Sequence, residues 1–220
     1  MKLSPSTQKW AVGLLAGSVC FIAYGQTKLP ADIDAQSRAR LPYLTQAEVD
    51  EKAKPIYNIF KTKDGKLNGP LAFAAYNGGV GKALLDLHDE AVTRGTLDAR
   101  TRELAIMVAC RETNYNLEWN GHEASAIRAG VDAKLIELIR NNGALTGLDE
   151  KDATVIRFGR QLYRDKKVDS ATFAKVVQFW GKRGAMDMVA VMNTYAVSGF
   201  FAAAVDEQPA EGKAALTPLK

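Results

Sequence analysis

The sequence predicts an all-α protein, and three features carry that expectation. Apolar residues recur at three- and four-residue spacing in most segments after residue 45, as on the buried face of a helix. Alternating β-branched runs that would mark strands are absent. Helix boundaries are signalled, by a Thr45–Glu48 capping box and by Gly130 as a stop.

The elements follow in order. Lys2 and Lys9 precede a charge-free run over residues 10–24, and Ala23-Tyr24-Gly25 has small residues where a signal peptidase reads. The run is about fifteen residues, short of the roughly 20 that span a bilayer. Residues 1–25 are therefore expected to be a signal peptide, with a retained anchor as the alternative. Lipidation at Cys20 is a minor one, because Val19 before it is branched. The expected location is periplasmic or secreted, with no stable membrane insertion after cleavage. Residues 26–40 read as a linker, 41–206 as one helical domain and 207–220 as a mobile tail.

Within the domain a helix is expected over 45–60, with Pro55 able to split it. The turn-rich stretch 61–70 (KTKDGKLNGP) reads as a loop. Helices follow at 81–94 and 98–111, an interruption at Asn114, and then helices at 115–129, 132–141, 149–165, 170–180 and 186–204. No internal repeat is present.

Charge and cysteine content narrow the function. The formal charge is +4, and removing residues 1–25 takes two lysines and no acids, leaving +2. No basic stripe interleaved with aromatics appears, so no nucleic-acid partner is expected. Cys110 is the one cysteine after the leader, which leaves no intrachain disulfide.

The chemistry concentrates in one stretch. Glu118 and His122 are four apart, one turn above each other on a helix. A carboxylate and an imidazole so placed can share a proton near neutral pH, as general acid/base work requires. Glu103 lies on the preceding helix, seven residues before Cys110 and on the same stripe. If that stripe faces the next helix, Glu103, Glu118 and His122 converge. The plainer alternative is that Glu118 favours a helix N-terminus while His122 packs in a core. Glu112 and Glu123 read as solvated, and His88 as a surface or interface residue. No HExxH or histidine cluster supports a metal, and no cofactor is expected. Cys110 reads as a buried thiol, and Tyr115 and Trp119 either line a pocket or belong to the core.

The string Arg102-Glu103-Leu104-Ala105-Ile106, then Glu118-Trp119-x-x-His122-x-x-x-Ala126 and Gly130-Val131, resembles the carboxymuconolactone decarboxylase family. Asn68-Gly69-Pro70 upstream, and the segments 158–163, 173–180 and 188–195 downstream, extend the resemblance across about residues 41–206. It implies the alkyl hydroperoxidase D-like helical fold and a homo-trimer or homo-hexamer. The hydroperoxidase branch carries a CxxC pair where this chain has Tyr115 and Glu118, so the resemblance implies the decarboxylase-like branch. It also implies a cofactor-independent lyase acting on a small carboxylated or lactone substrate. His122 would be the proton donor, Glu118 would orient it and Glu103 would act as a second relay. Arg102 would hold a substrate carboxylate or else form a surface ion pair, with Tyr115 and Trp119 beside the substrate. A hydroperoxide reductase using Cys110, and a non-catalytic binder of small acids, are the alternatives.

Overall fold

The computed structural model describes residues 29–213 and 215–219. The signal peptide expected at 1–25 lies outside them. Among the described residues seven α-helices run in order: α1 (Lys54–Phe60), α2 (Gly78–His88), α3 (Ala99–Glu112), α4 (Asn116–Arg128), α5 (Ala133–Arg140), α6 (Glu150–Arg160) and α7 (Ser170–Ala204). Among the described residues there is no strand, only two isolated antiparallel bridges, Thr45 with Lys66 and Lys61 with Leu67. No described helix is long and apolar enough to cross a membrane.

α3 is the centre of the bundle and packs against α4, α5, α6 and α7. Its residues from Leu104 to Arg111 are all buried, as expected of a helix surrounded on every side. Asp98 caps its start, accepting the Thr101 backbone N–H at 2.9 Å. Arg100 ties that end to α6 through two parallel hydrogen bonds to Asp152, of 2.6 and 2.8 Å. At the other end Asn114 takes a left-handed backbone (φ 52°), and the Tyr115 N–H reaches back to the Cys110 carbonyl at 2.8 Å. The expected interruption at Asn114 is thus a tight turn that folds α4 back along α3. Gly130 (φ 92°) ends α4 in the same way, with the Val131 N–H donating to the Ala126 carbonyl.

Several boundaries differ from expectation. The Thr45–Glu48 contact forms, with the Glu48 carboxylate accepting the Thr45 N–H at 2.9 Å, but it closes a turn rather than a helix. Pro55 does not split a helix; it stands in the first turn of α1, where its missing N–H costs nothing. α2 begins at Gly78, capped by Asn77, and runs into a π-helical turn over Asp89–Thr93. A second π turn, Gln161–Asp165, ends α6. The gap expected between 180 and 186 is a break at Gly181, whose φ of 72° divides α7 into two limbs.

Both expected loose ends are anchored. In the segment read as a linker, Ile33, Ser37 and Ala39 are buried, and the Arg40 N–H donates to the Val205 carbonyl. Beyond residue 206 the chain is not a free tail. Leu216 is buried in the main core, its N–H donates to Asn116, and the Thr217 carbonyl accepts from Arg111. A single buried apolar residue and a buried guanidinium needing acceptors suffice to hold this stretch down.

Two apolar cores result. The larger surrounds α3; the smaller joins Leu44, Val49, Ile56, Tyr57, Leu67 and Leu71 with the inner face of α2. Helices α3 and α6 meet closely at Gly159, where an added Cβ would stand 2.4 Å from the Val108 side chain. Gly159→Ala is therefore expected to destabilise the fold by about 1–3 kcal/mol through overpacking. A urea midpoint unchanged from the wild type would contradict it.

Candidate active site

α3 and α4 lie antiparallel across the Asn114 turn, which brings Glu103 opposite His122. The His122 Nδ1 is 2.8 Å from Glu103 Oε2, and its Nε2 is 3.2 Å from Glu118 Oε2. The imidazole thus stands between two carboxylates, one from the neighbouring helix and one from the turn below on its own helix. All three side chains are mostly buried, with 22% of His122, 13% of Glu103 and 11% of Glu118 exposed. Burial works against charge on His122, but the hydrogen bonds and attraction of Glu103 and Glu118 outweigh it, raising its pKa to about 9. At neutral pH the ring is an imidazolium with both N–H groups directed at carboxylates.

Glu118 and His122 form part of the wall of a cavity of about 730 Å³. The cavity occupies the seam between the two cores. Phe60 of α1, Leu71 of the loop, Leu85 of α2 and Val92 of the π turn provide apolar wall, while Thr194, Tyr195 and Ser198 of α7 close the far side. Glu103 is outside this wall and reaches the site only through His122. Tyr195 packs its ring edge-on to His122, with centroids 5.0 Å apart. Burial raises its phenol pKa, so it is a neutral hydroxyl.

The structure places the other expected residues differently. Trp119 is in the main core, 1% exposed, with the Arg140 guanidinium 4.9 Å from its ring centroid; it does not line the cavity. Tyr115 is also buried and faces a separate hollow of about 70 Å³ with Glu207. There burial, followed by the nearby charge of Glu118, raises the Glu207 carboxyl pKa to about 7. Arg102 is not among the cavity-lining residues, and its Nε is buried without a hydrogen-bond partner among the described residues. Glu112, expected to be solvated, is a buried partner of Arg164, with contacts of 2.6 and 2.5 Å. Glu123 pairs with Arg140 at 2.6 Å.

Sequence reading missed His88 and Tyr195. His88 lines the cavity, and its ring lies 6.2 Å from that of Tyr195. Desolvation lowers its pKa against the attraction of Glu118, so His88 is neutral where His122 is charged. Cys110 is fully buried, and burial together with the charges of Glu118 and Glu103 raises its thiol pKa well above the ordinary value. That environment suppresses the thiolate needed for reaction with peroxide. No grouping of His, Cys, Asp and Glu among the described residues has the arrangement to hold a metal ion.

The raised His122 pKa makes stability depend on pH in a definite direction. The folded form binds the proton more tightly than the unfolded chain, so the contribution is complete below pH 6.5 and lost as pH rises through about 9. Its size is on the order of 3 kcal/mol. Thermal unfolding across that window should show a fall that is much reduced in His122→Gln; parallel curves for the two proteins would refute the assignment.

Comparison with known proteins agrees with this architecture. The model of the carboxymuconolactone decarboxylase family matches residues 78–160, a segment that contains Glu103, Glu118, His122 and Cys110. No curated protein matches in sequence. Among solved structures, an uncharacterized peroxidase-related protein from Silicibacter sp. TM1040 superposes with a TM-score of 0.62 at 17% identity, covering 85% of this chain and 96% of that one. The debrominase Bmp8, in complex with 2,3,4-tribromopyrrole, gives 0.60 at 12% identity, covering 77% of this chain and 90% of its own. At such identities the likeness establishes the fold, the all-helical alkyl hydroperoxidase D-like bundle. Over residues 78–160, this chain is similar to the carboxymuconolactone decarboxylase family.

Proposed function

We propose that this chain is an exported, cofactor-independent acid/base enzyme that delivers a proton to a carbon of a small carboxylated or lactone substrate. The observation that carries this reading is His122, held as an imidazolium between two carboxylates at the wall of a cavity large enough for a small ring compound. When the carbon–carbon bond to a carboxylate breaks heterolytically and carbon dioxide leaves, the electron pair left on carbon needs a proton. The Nε2 proton of His122 moves to that carbon, leaving a neutral imidazole that still donates through Nδ1 to Glu103. Glu118 orients the ring and shares the Nε2 proton until substrate displaces it, and a solvent proton then restores the imidazolium.

A peroxide-reducing role for Cys110 has little support, since the thiol is buried, protonated and absent from the cavity wall. Export rests on the basic, apolar leader sequence. Assembly into a homo-trimer or homo-hexamer is part of the same proposal. Large exposed apolar side chains such as Ile59, Met186 and Phe200, each more than half exposed, support it.

Turnover of a panel of lactones and lactone acids tests the mechanism. His122→Gln is expected to lower the rate by about 10²–10⁴-fold, and Glu118→Gln to lower it as well. Cys110→Ser is expected to leave turnover intact. Full activity in His122→Gln would end the acid/base reading, and loss of turnover in a folded Cys110→Ser protein would revive the thiol.

A further inference from the structure

We infer that His88 is a general base in this cavity, taking a proton from the carbon beside a ring carbonyl, so that the site also isomerises β,γ-unsaturated ring ketones. This rests on the acid/base reading for the proton that His122 returns to carbon.

The chemistry proposed above leaves one group in the cavity unused. Protonating the carbon that loses carbon dioxide calls on an acid alone, yet the cavity that holds His122 also holds a second imidazole. His88 stands at the end of α2, and its half-buried ring has no hydrogen-bond or ion-pair partner among the described residues. Tyr195 lies against both imidazoles, with ring centroids 6.2 Å from His88 and 5.0 Å from His122. The groups that face His88 are Glu118 and His122 of α4, Asp89 of the π turn and Tyr195 of α7, and Asp86 shares the wall. Burial keeps the ring neutral, while Glu118 and Asp89 favour the imidazolium it becomes on taking a proton. A neutral base and a charged acid therefore share one cavity, as relocation of a proton requires.

Tyr195 supplies the third part. It is 4% exposed and lines the cavity, and its hydroxyl makes no hydrogen bond within the described residues. Burial, followed by Glu118, Cys110 and Glu103, keeps the phenol protonated. Arg102, whose Nε is buried and unpartnered among the described residues, works the other way and favours negative charge at that oxygen. A phenol so placed donates to a carbonyl oxygen as charge develops there.

The step balances without a co-reactant. His88 takes the proton from the carbon between the carbonyl and the double bond. The C–H electron pair becomes a new C=C bond, and the carbonyl π pair moves to oxygen, where the Tyr195 hydroxyl donates to it. As the C=O bond re-forms, the pair of the original double bond takes the Nε2 proton of His122 at its far carbon. His88 is left as imidazolium and His122 as imidazole, and exchange with solvent restores both. Phe60, Leu71, Leu85 and Val92 pack on the ring meanwhile.

Proton NMR of cyclohex-3-en-1-one with the purified full chain in deuterium oxide tests this. The wild type is expected to exchange the protons between carbonyl and double bond, and to form the conjugated enone, faster than buffer does. His88→Gln should lower both rates by about 10²–10⁴-fold, and Tyr195→Phe by about 10²-fold. The wild-type isomerisation rate should fall as pH drops below 6.5 and His88 takes a proton, and fall again above about 9 as His122 loses one. Neither exchange nor isomerisation by the wild type, or full rates in His88→Gln, overturns the inference. A wild-type profile without the acid limb overturns it even where His88→Gln does not fold. Exchange that needs His88 but not His122, with no turnover of carboxylated compounds, would sink the acid/base reading of His122 and leave His88 as the base. Turnover of carboxylated compounds that needs His122, with the cyclohexenone untouched, would do the reverse.

Discussion

The shared hold of Glu103 and Glu118 on His122 is the interaction around which the centre of this bundle is arranged. Two mostly buried carboxylates so close together would repel strongly in a low-dielectric interior. The imidazolium between them turns that repulsion into two attractive contacts, one within α4 and one between α3 and α4. The α3–α4 hairpin is therefore joined on its polar side by a charge and on its apolar side by Trp119 and Ala126, both essentially fully buried. Breaking such a cluster by removing its cation would leave uncompensated negative charge, a larger loss than the contacts alone would suggest.

The cavity exists because the smaller core does not close onto the larger one at this point. α1 and α2 pack on each other through Ile56 and Gly81, where an added Cβ would stand 2.7 Å from Ile56 Cδ1. This close approach draws α2 toward α1. The π turn at Asp89–Thr93 then displaces the chain at the end of α2, where His88, Asp89 and Val92 face the space above His122. π turns commonly mark such sites, because the extra residue redirects side chains that a regular helix would keep on one face.

Much of the centre was legible from local spacing. The i,i+4 relation of Glu118 and His122, the turn at Asn114 and the stop at Gly130 are short-range facts, and helical geometry follows from them directly. The meeting of Glu103 with His122 required only that two consecutive helices fold back on each other. Less legible was everything that depends on distant partners. His88 and Tyr195 reach the cavity from elements far away in the chain, and a lone histidine on an amphipathic helix carries no mark of what will pack above it. Trp119 lies one residue from Glu118, yet the helix turns it about 100° away into the core. Leu216 shows the same limit, since an apolar residue in a polar tail reads as mobile until a groove for it is known.

On the proposed acid/base reading, position 118 is where the cluster turns from thiol chemistry to proton transfer. In the resemblance to the hydroperoxidase branch, this is the position of the second cysteine of a CxxC pair. A carboxylate here has two effects of opposite use to redox chemistry. It raises the pKa of the neighbouring imidazole, so that the ring remains a charged acid across neutral pH. It also adds negative charge beside Cys110, pushing the remaining thiol further from its reactive form. The same carboxylate that equips His122 to give a proton therefore disables the nearest sulfur. On the proposed reading, one side chain thus disposes the site toward acid/base work, with Glu103 supporting it from behind and outside the cavity.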